Sequence, residues 1–157
     1  MNVEYRIATR ADFDALWDRN IAQNPDEPMW SIWRERFRSR IDRGQAITFA
    51  VVIDGEPVGE GTLELNTGKD PRLCDGRHNA YLAALRIRPE FEGQGHISRL
   101  VHRMEDHARN LGFQTITIGV MQQEERNRAI YAHWNYVNLI LEESEDGQHI
   151  LYYAKKL

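Results

Sequence analysis

Gly93 and Gly95 stand two residues apart in Arg88-Pro-Glu-Phe-Glu-Gly-Gln-Gly-His-Ile-Ser98, directly before a helical pattern. A glycine turn that opens a helix aims several free backbone N–H groups, and the positive end of the helix dipole, at one spot. That arrangement suits a phosphate or pyrophosphate. The pair alone is equally compatible with an ordinary tight turn. G-x-x-x-x-G-K-[ST] is absent, and Ser98 stands where the third glycine of G-x-G-x-x-G would fall. Neither a triphosphate loop nor a dinucleotide fold is therefore indicated. Glu60 and Glu64 form a second group, on one face of a strand with Thr62 between them. Two carboxylates so placed are ordinarily a solvated surface, and otherwise a site that removes a proton. His96 is either a phosphate contact or a surface imidazole. No histidines are spaced as H-x-x-x-H, and no metal is expected. Cys74 is the only cysteine, which excludes an internal disulfide.

The elements that must position these residues follow from periodicity. Asn79 to Ile87 reads as a strand that Pro89 stops. After the turn, Ile97, Leu100, Val101, Met104, Ala108 and Leu111 recur at spacings of three and four, giving one helix that Gly112 ends. Upstream, Val3 to Ile7 is a strand, and Thr9 caps a helix built on Phe13, Leu16, Trp17 and Ile21. A break at Asn24-Pro-Asp-Glu-Pro28 precedes a second helix, Met29 to Asp42, with Trp30, Trp33, Phe37 and Ile41 on one face. Ala46 to Ile53 and Val58 to Leu65 pair through the hairpin turn Asp54-Gly55. The aperiodic segment Asn66 to His78 is long for a compact domain, hence mobile or functional. Thr115 to Val120 is a strand, Glu124 to Trp134 a short helix, and Tyr136 to Leu141 and His149 to Ala154 flank the turn Asp146-Gly147.

At 157 residues, 41% hydrophobic and 28% charged, the chain is expected to form one globular domain over 1–157. Its net charge of −4 gives no basic face for nucleic acid. No apolar run approaches the roughly 20 residues that span a bilayer. The start, Met-Asn-Val-Glu-Tyr-Arg, lacks a signal-peptide layout, so the expected address is the cytoplasm and no membrane association is expected.

The strand, the turn Pro89-Glu-Phe-Glu-Gly-Gln-Gly95, the helix after it and Ala129-Ile-Tyr-Ala-His-Trp-Asn-Tyr136 together resemble the core of the GNAT superfamily of N-acetyltransferases. That family's pyrophosphate signature is [QR]-x-x-G-x-[GA]. Here Glu92-Gly-Gln-Gly95-His-Ile97 keeps the central glycine, with Glu92 for Gln or Arg and Ile97 for the small residue. The order of elements fits the whole chain. The resemblance implies an α/β fold of the α+β type, a mixed, mostly antiparallel sheet of about seven strands flanked by about four helices.

It also implies acetyl-CoA as co-substrate and a primary amine, small molecule or peptide, as acceptor, attacked directly in a ternary complex. Gly93, Gln94, Gly95, His96, Ile97 and Ser98, with Glu92 at the edge, would cradle the pyrophosphate. Main-chain groups of Leu85, Arg86 and Ile87 would pair with the pantetheine arm like an added strand. Tyr131 would serve as general acid, mainly by hydrogen-bonding the developing thiolate, with Asn135 in place of the glycine that follows at a fixed interval. Asparagine is the next most tolerant residue of the left-handed conformation there. Asn127, one helical turn before Tyr131, would bind the pantetheine arm. Glu60 and Glu64 are candidates for the base. Trp30 and Trp33 are either core or the border of the acceptor pocket, where an indole stacks on an aromatic acceptor or holds a cationic amine. Homodimers are common in the family. The alternative function is a GNAT-like module without turnover, binding acyl-CoA or another protein; Glu92, Ile97 and the lack of an evident base favour it.

Overall fold

Alternating and continuous apolar runs, separated by Gly, Pro and Asp turns, set the element order. The computed structural model describes residues 1–157. The strands are β1 (Val3–Ile7), β2 (Ala46–Ile53), β3 (Glu56–Glu64), β4 (Asn79–Ile87), β5 (Thr115–Met121), β6 (Asn138–Glu145) and β7 (Gln148–Lys156). The helices are α1 (Arg10–Ala22), α2 (Met29–Asp42), α3 (His96–Asn110) and α4 (Glu125–His133). One seven-stranded sheet has the order β1-β2-β3-β4-β5-β7-β6. β4 and β5 run parallel, whereas β1–β2, β5–β7 and β6–β7 are antiparallel. No helix is long and apolar enough to cross a membrane.

Contacts along the backbone gather into two compact units, residues 1–63 with 84–104, and residues 64–83 with 105–157. In the first, β1 pairs with β2 from Val3 opposite Ile53 to Ile7 opposite Phe49. Asp54 and Gly55 both have positive φ, 49° and 83°, as a two-residue type I′ hairpin requires. Phe49 to Ile53 are buried. Thr9 and Asp12 form a reciprocal capping box on α1, and Arg6 donates to both oxygens of Asp12. Phe13, Leu16 and Trp17 are the buried stripe of α1. α2 buries no residue fully and leans on Trp17 through Trp30 and Phe37, at ring separations of 6.2 and 5.5 Å.

The stripe on α3 differs from its spacing in two places. Leu100, Val101, Met104 and Ala108 are buried, but Ile97 is half-buried and Leu111 is 49% exposed. The polar side chains of His96 and Glu105 are buried instead, because each finds a hydrogen-bond partner.

In the second unit, β5 pairs with β4 over Thr115–Ile118 and with β7 along its full length, and β6 is the edge strand. The aperiodic segment before β4 is tied down. The Cys74 thiol donates to the Glu64 carbonyl at 3.3 Å, and the Thr117 hydroxyl donates to the Leu73 carbonyl at 2.7 Å. One oxygen of Asp75 accepts the N–H groups of Arg77, His78 and Asn79. Leu73 and Cys74 are buried. Burial pushes the Cys74 thiol above its ordinary range, so it is not poised to react.

α4 closes with Asn135 at φ 72°. The Tyr136 N–H donates to the Tyr131 carbonyl and the Asn135 N–H to the Ala132 carbonyl, both at 2.9 Å, the paired bonds of a Schellman motif. This turn keeps Tyr136 out of β6, which begins at Asn138. The Tyr136 ring is buried, and its hydroxyl donates to Glu105 at 2.7 Å, as does Lys155 at 2.9 Å. Replacing Asn135 by a β-branched residue forces a Cβ-crowded side chain into the left-handed region. Asn135→Val is expected to lose about 1–2 kcal/mol in urea unfolding, and Asn135→Gly to change stability by a few tenths at most.

Candidate active site

The turn before α3 is shaped by its glycines. A single 3-10 turn, Pro89–Phe91, brings the chain to Glu92, which is exposed. Gly93 and Gly95 follow at φ 74° and 83°, conformations that ordinary side chains resist. A Cβ on Gly95 would lie 3.1 Å from Nη1 of Arg99, which folds back and donates to the Gln94 carbonyl at 3.0 Å. Space around Gly93 is open. His96 is 5% exposed: Nδ1 shares a 2.8 Å hydrogen bond with the Tyr5 hydroxyl, and Nε2 meets Gln94 Oε1 at 3.3 Å. The imidazole is therefore not a surface group; it ties the turn to β1 and to the Gln94 side chain. The first N–H groups of α3 and the Arg99 guanidinium leave positive charge at this turn, with donors that fit a phosphate.

β4 carries a φ of 56° at Ala84, a left-handed residue without the excuse of being glycine. Beyond it the strand presses hard on β3. A Cβ on Gly61 would meet Leu85 Cδ2 at 2.7 Å and Met104 Sδ at 3.0 Å; one on Gly59 would meet the Arg86 carbonyl oxygen and Ile87 Cγ1, both at 3.2 Å. The two β3 glycines are thus required by the approach of Leu85–Ile87.

The Arg86 side chain lies over the rings of Trp17 and Trp30, at 5.0 and 5.1 Å from their centroids. It donates to one oxygen of Glu60 at 3.3 Å, while the Asn20 amide donates to the other at 3.0 Å. Glu60 is 2% exposed, so the solvated surface that its spacing suggests is wrong. Its two oxygens are already engaged, which suits it to hold Arg86 better than to take a proton. Trp30 stands edge-on to Trp33 at 5.1 Å and donates to Glu27 at 3.2 Å. The cation on its face is the protein's own arginine.

A second group lies wholly within residues 64–83 and 105–157. Glu64 is 1% exposed, again not a solvated carboxylate, and Lys69 approaches it at 3.8 Å. Lys69 Nζ also sits 5.1 Å from the centroid of Tyr81. Tyr81 packs on Tyr152 at 6.3 Å, and a Cβ on Gly119 would come within 2.7 Å of the Tyr81 hydroxyl oxygen. Burial, then the neighbouring Tyr152, Glu64 and Tyr131, push the Tyr81 phenol above its ordinary range. Tyr131 is half-buried against Trp134, and burial followed by Glu124 raises its phenol too. The Asn127 amide donates to Glu124 at 2.6 Å, which occupies the group that would meet a pantetheine arm. Tyr81 was not singled out from the sequence, because its packing on Tyr152 and beneath Lys69 depends on strand pairing and on the aperiodic segment. No group of three or more His, Cys, Asp or Glu is placed to hold a metal ion.

With its fold and glycine turn in place, the chain belongs to the GNAT family of acetyltransferases: the model of the Acetyltransferase (GNAT) family matches residues 11–136. Among solved structures it is similar to Arabidopsis thaliana NAA60 in complex with a bisubstrate analogue, at 14% identity, 99% and 98% coverage of the two chains and a TM-score of 0.72. It is also similar to the Salmonella typhimurium acetyl transferase that modifies the N-terminal serine of 50S ribosomal subunit protein L7/L12, at 18% identity, 100% and 96% coverage and a TM-score of 0.73. A third likeness is to a PaiA N-acetyltransferase from Thermoplasma acidophilum in complex with coenzyme A, at 17% identity, 98% and 99% coverage and a TM-score of 0.68. At these identities the likeness is one of fold. No curated protein matches the chain by sequence.

The Arg86–Glu60 pair is testable by a double-mutant cycle. Arg86→Met strands a buried carboxylate with Asn20 alone, and is expected to lose about 2–4 kcal/mol in urea unfolding. Adding Glu60→Gln is expected to restore more than half of that loss.

Proposed function

We propose that the chain, as a single domain over 1–157, is an acetyl-CoA-dependent N-acetyltransferase that moves an acetyl group to a primary amine by direct attack in a ternary complex. The observation that carries this reading is the turn Gly93–Ser98 at the head of α3, which follows the kinked strand β4 in a chain of the GNAT family. The unpaired N–H groups at its start and the Arg99 guanidinium are the donors a pyrophosphate needs. Main-chain groups of Leu85 to Ile87 take the amide-bearing arm, and the left-handed Ala84 is where the strand's regular bonding is interrupted.

The chemistry needs an unprotonated amine and a proton for the departing thiolate. Glu60 or Glu64, the two buried carboxylates of β3, takes the amine's proton in this reading. Tyr131 supplies the thiolate's proton. Burial, then Glu124, raises its phenol, so it stays protonated through neutral pH. An aromatic border formed by Trp30 and Trp33 receives the acceptor's side chain. A peptide N-terminus is the acceptor class that the Salmonella relative's substrate supports, with small amines next.

A module that binds acyl-CoA without turnover is the second reading. The exposed Glu92 beside the turn and the engagement of the Asn127 amide by Glu124 favour it. Calorimetric titration with acetyl-CoA, against coenzyme A and ATP, tests the coenzyme site. Micromolar binding is expected, at least about tenfold weaker in Gly95→Glu because a carboxylate then faces the phosphates and Arg99 is displaced. Absence of binding overturns the enzyme reading. Tyr131→Phe is expected to lower kcat by about 100-fold or more with acetyl-CoA affinity nearly unchanged. Because the Tyr131 phenol is raised, the wild-type rate profile should show no fall from its ionisation through neutral and mildly alkaline pH.

A further inference from the structure

Leu85 and Arg86 leave β4 on opposite faces of the sheet. Leu85 packs towards Gly61 and Met104 of α3, which closes that face. Arg86 turns to α1 and α2, its guanidinium 5.0 Å from the Trp17 ring centroid and 5.1 Å from that of Trp30. Glu60 accepts from Nη2 at 3.3 Å, and the Asn20 amide holds the other carboxylate oxygen at 3.0 Å. That long contact is the hydrogen bond the guanidinium makes within the protein. Nε is buried without a partner, and the side chain as a whole is 30% exposed. A guanidinium carries five donors, so most of these are unspent. The sign of the charge decides what fits beside them. Over bare indoles a cationic amine would be the natural guest. With Arg86 already seated over Trp30, a second cation meets repulsion. A carboxylate meets a planar fork that can bind it through two N–H groups at once.

We propose that Arg86 selects the acceptor: the amine that this chain acetylates carries a carboxylate a few bonds from its nitrogen, and the guanidinium grips that carboxylate. This rests on the acetyl-transfer reading above, in which main-chain groups of Leu85 to Ile87 take the coenzyme arm. Arg86 belongs to that stretch, so its side chain rises from the same backbone along which the arm lies. The Leu85 face is filled by α3, and the acceptor therefore comes in on the face where Arg86 stands. Glu60 orients the fork through Nη2 and leaves Nη1 and the second Nη2 hydrogen to the guest. Asn20 satisfies the far oxygen of Glu60, so the guanidinium is not drawn wholly into the protein. Two sources offer this chemistry, the N-terminal aspartate or glutamate of a peptide and a free amino acid.

The test compares matched acceptors on the full chain with acetyl-CoA. A peptide amide beginning with glutamate is set against the same peptide beginning with glutamine, and free alanine against alaninamide. The carboxylate is expected to raise kcat/KM at least about tenfold in one pair or both, and the pair that shows it names the source. Calorimetric titration of the coenzyme A complex with the same compounds is expected to show that preference without turnover. Arg86→Lys keeps a cation for Glu60 but loses the fork, and should cut the preference about threefold or more. Arg86→Met combined with Glu60→Gln removes both charges and should abolish it; calorimetry reads this even where turnover is lost. Equal handling of carboxylates and amides overturns the proposal and leaves the enzyme reading standing, as does a preference for a diamine. A carboxylate preference that survives in both variants overturns it too, because another group then reads the acceptor. Absence of acetyl-CoA binding removes this proposal together with the reading beneath it.

Discussion

The left-handed turn of the backbone at Ala84 is the constraint from which much of the first unit follows. A non-glycine residue in that region costs about 1–2 kcal/mol, and it persists only where its surroundings leave no alternative. Here they are over-determined. Leu85 fills the space that Gly61 vacates, the Arg86 carbonyl and Ile87 fill that of Gly59, and Arg88 is bonded through its N–H to Val58 and through its side chain to Glu56. Arg86 extends the same clamp outward, to Glu60, Asn20 and the two indoles. The strand edge proposed to bind coenzyme is thus made rigid by packing on its far side, the condition for holding a flexible ligand without first having to order the receptor.

Four buried carboxylates recur in one pattern: Asp12 with Arg6, Glu60 with Arg86, Glu64 with Lys69, Glu105 with Lys155. Each lone cation is matched to its surroundings. The planar guanidinium of Arg86 lies over two indole faces, which an ammonium fills less well. Lys155 delivers a compact charge to Glu105 beside the Tyr136 hydroxyl and so fixes the residue whose N–H closes α4 under Tyr131. Breaking that pair would disturb the carbonyl end of Tyr131 before it disturbed the sheet.

Local chemistry was legible in the sequence, and distant pairing was not. The hairpin at Asp54-Gly55, the cap at Thr9, the glycine turn at Gly93 and Gly95, and the asparagine that ends α4 are all dictated within a few residues. Each appears in the structure as its residue type requires. The β3 carboxylates were misjudged as a solvated face because the groups that bury them arrive from 26 and 40 residues away for Glu60, and from an aperiodic segment for Glu64. The burial of the His96 ring was out of reach for the same reason, its partner Tyr5 being 91 residues distant. Periodicity also over-extended the α3 stripe to Leu111, since a helix spacing cannot say where the covering surface ends. Whether the aperiodic segment was loose or ordered lay equally out of reach, because Thr117 and Glu64 hold it from outside.

That segment carries its own reporter. Cys74 is the sole thiol of the chain and is buried among the bonds that tie residues 66–78 down. A thiol-specific reagent added to the native protein therefore meets sulfur only during the brief intervals when the segment lifts. Its labelling rate, divided by that of an unstructured cysteine, is the equilibrium constant of local opening. The chain contains a clock for the stability of one strap, read without inserting a label or altering a residue.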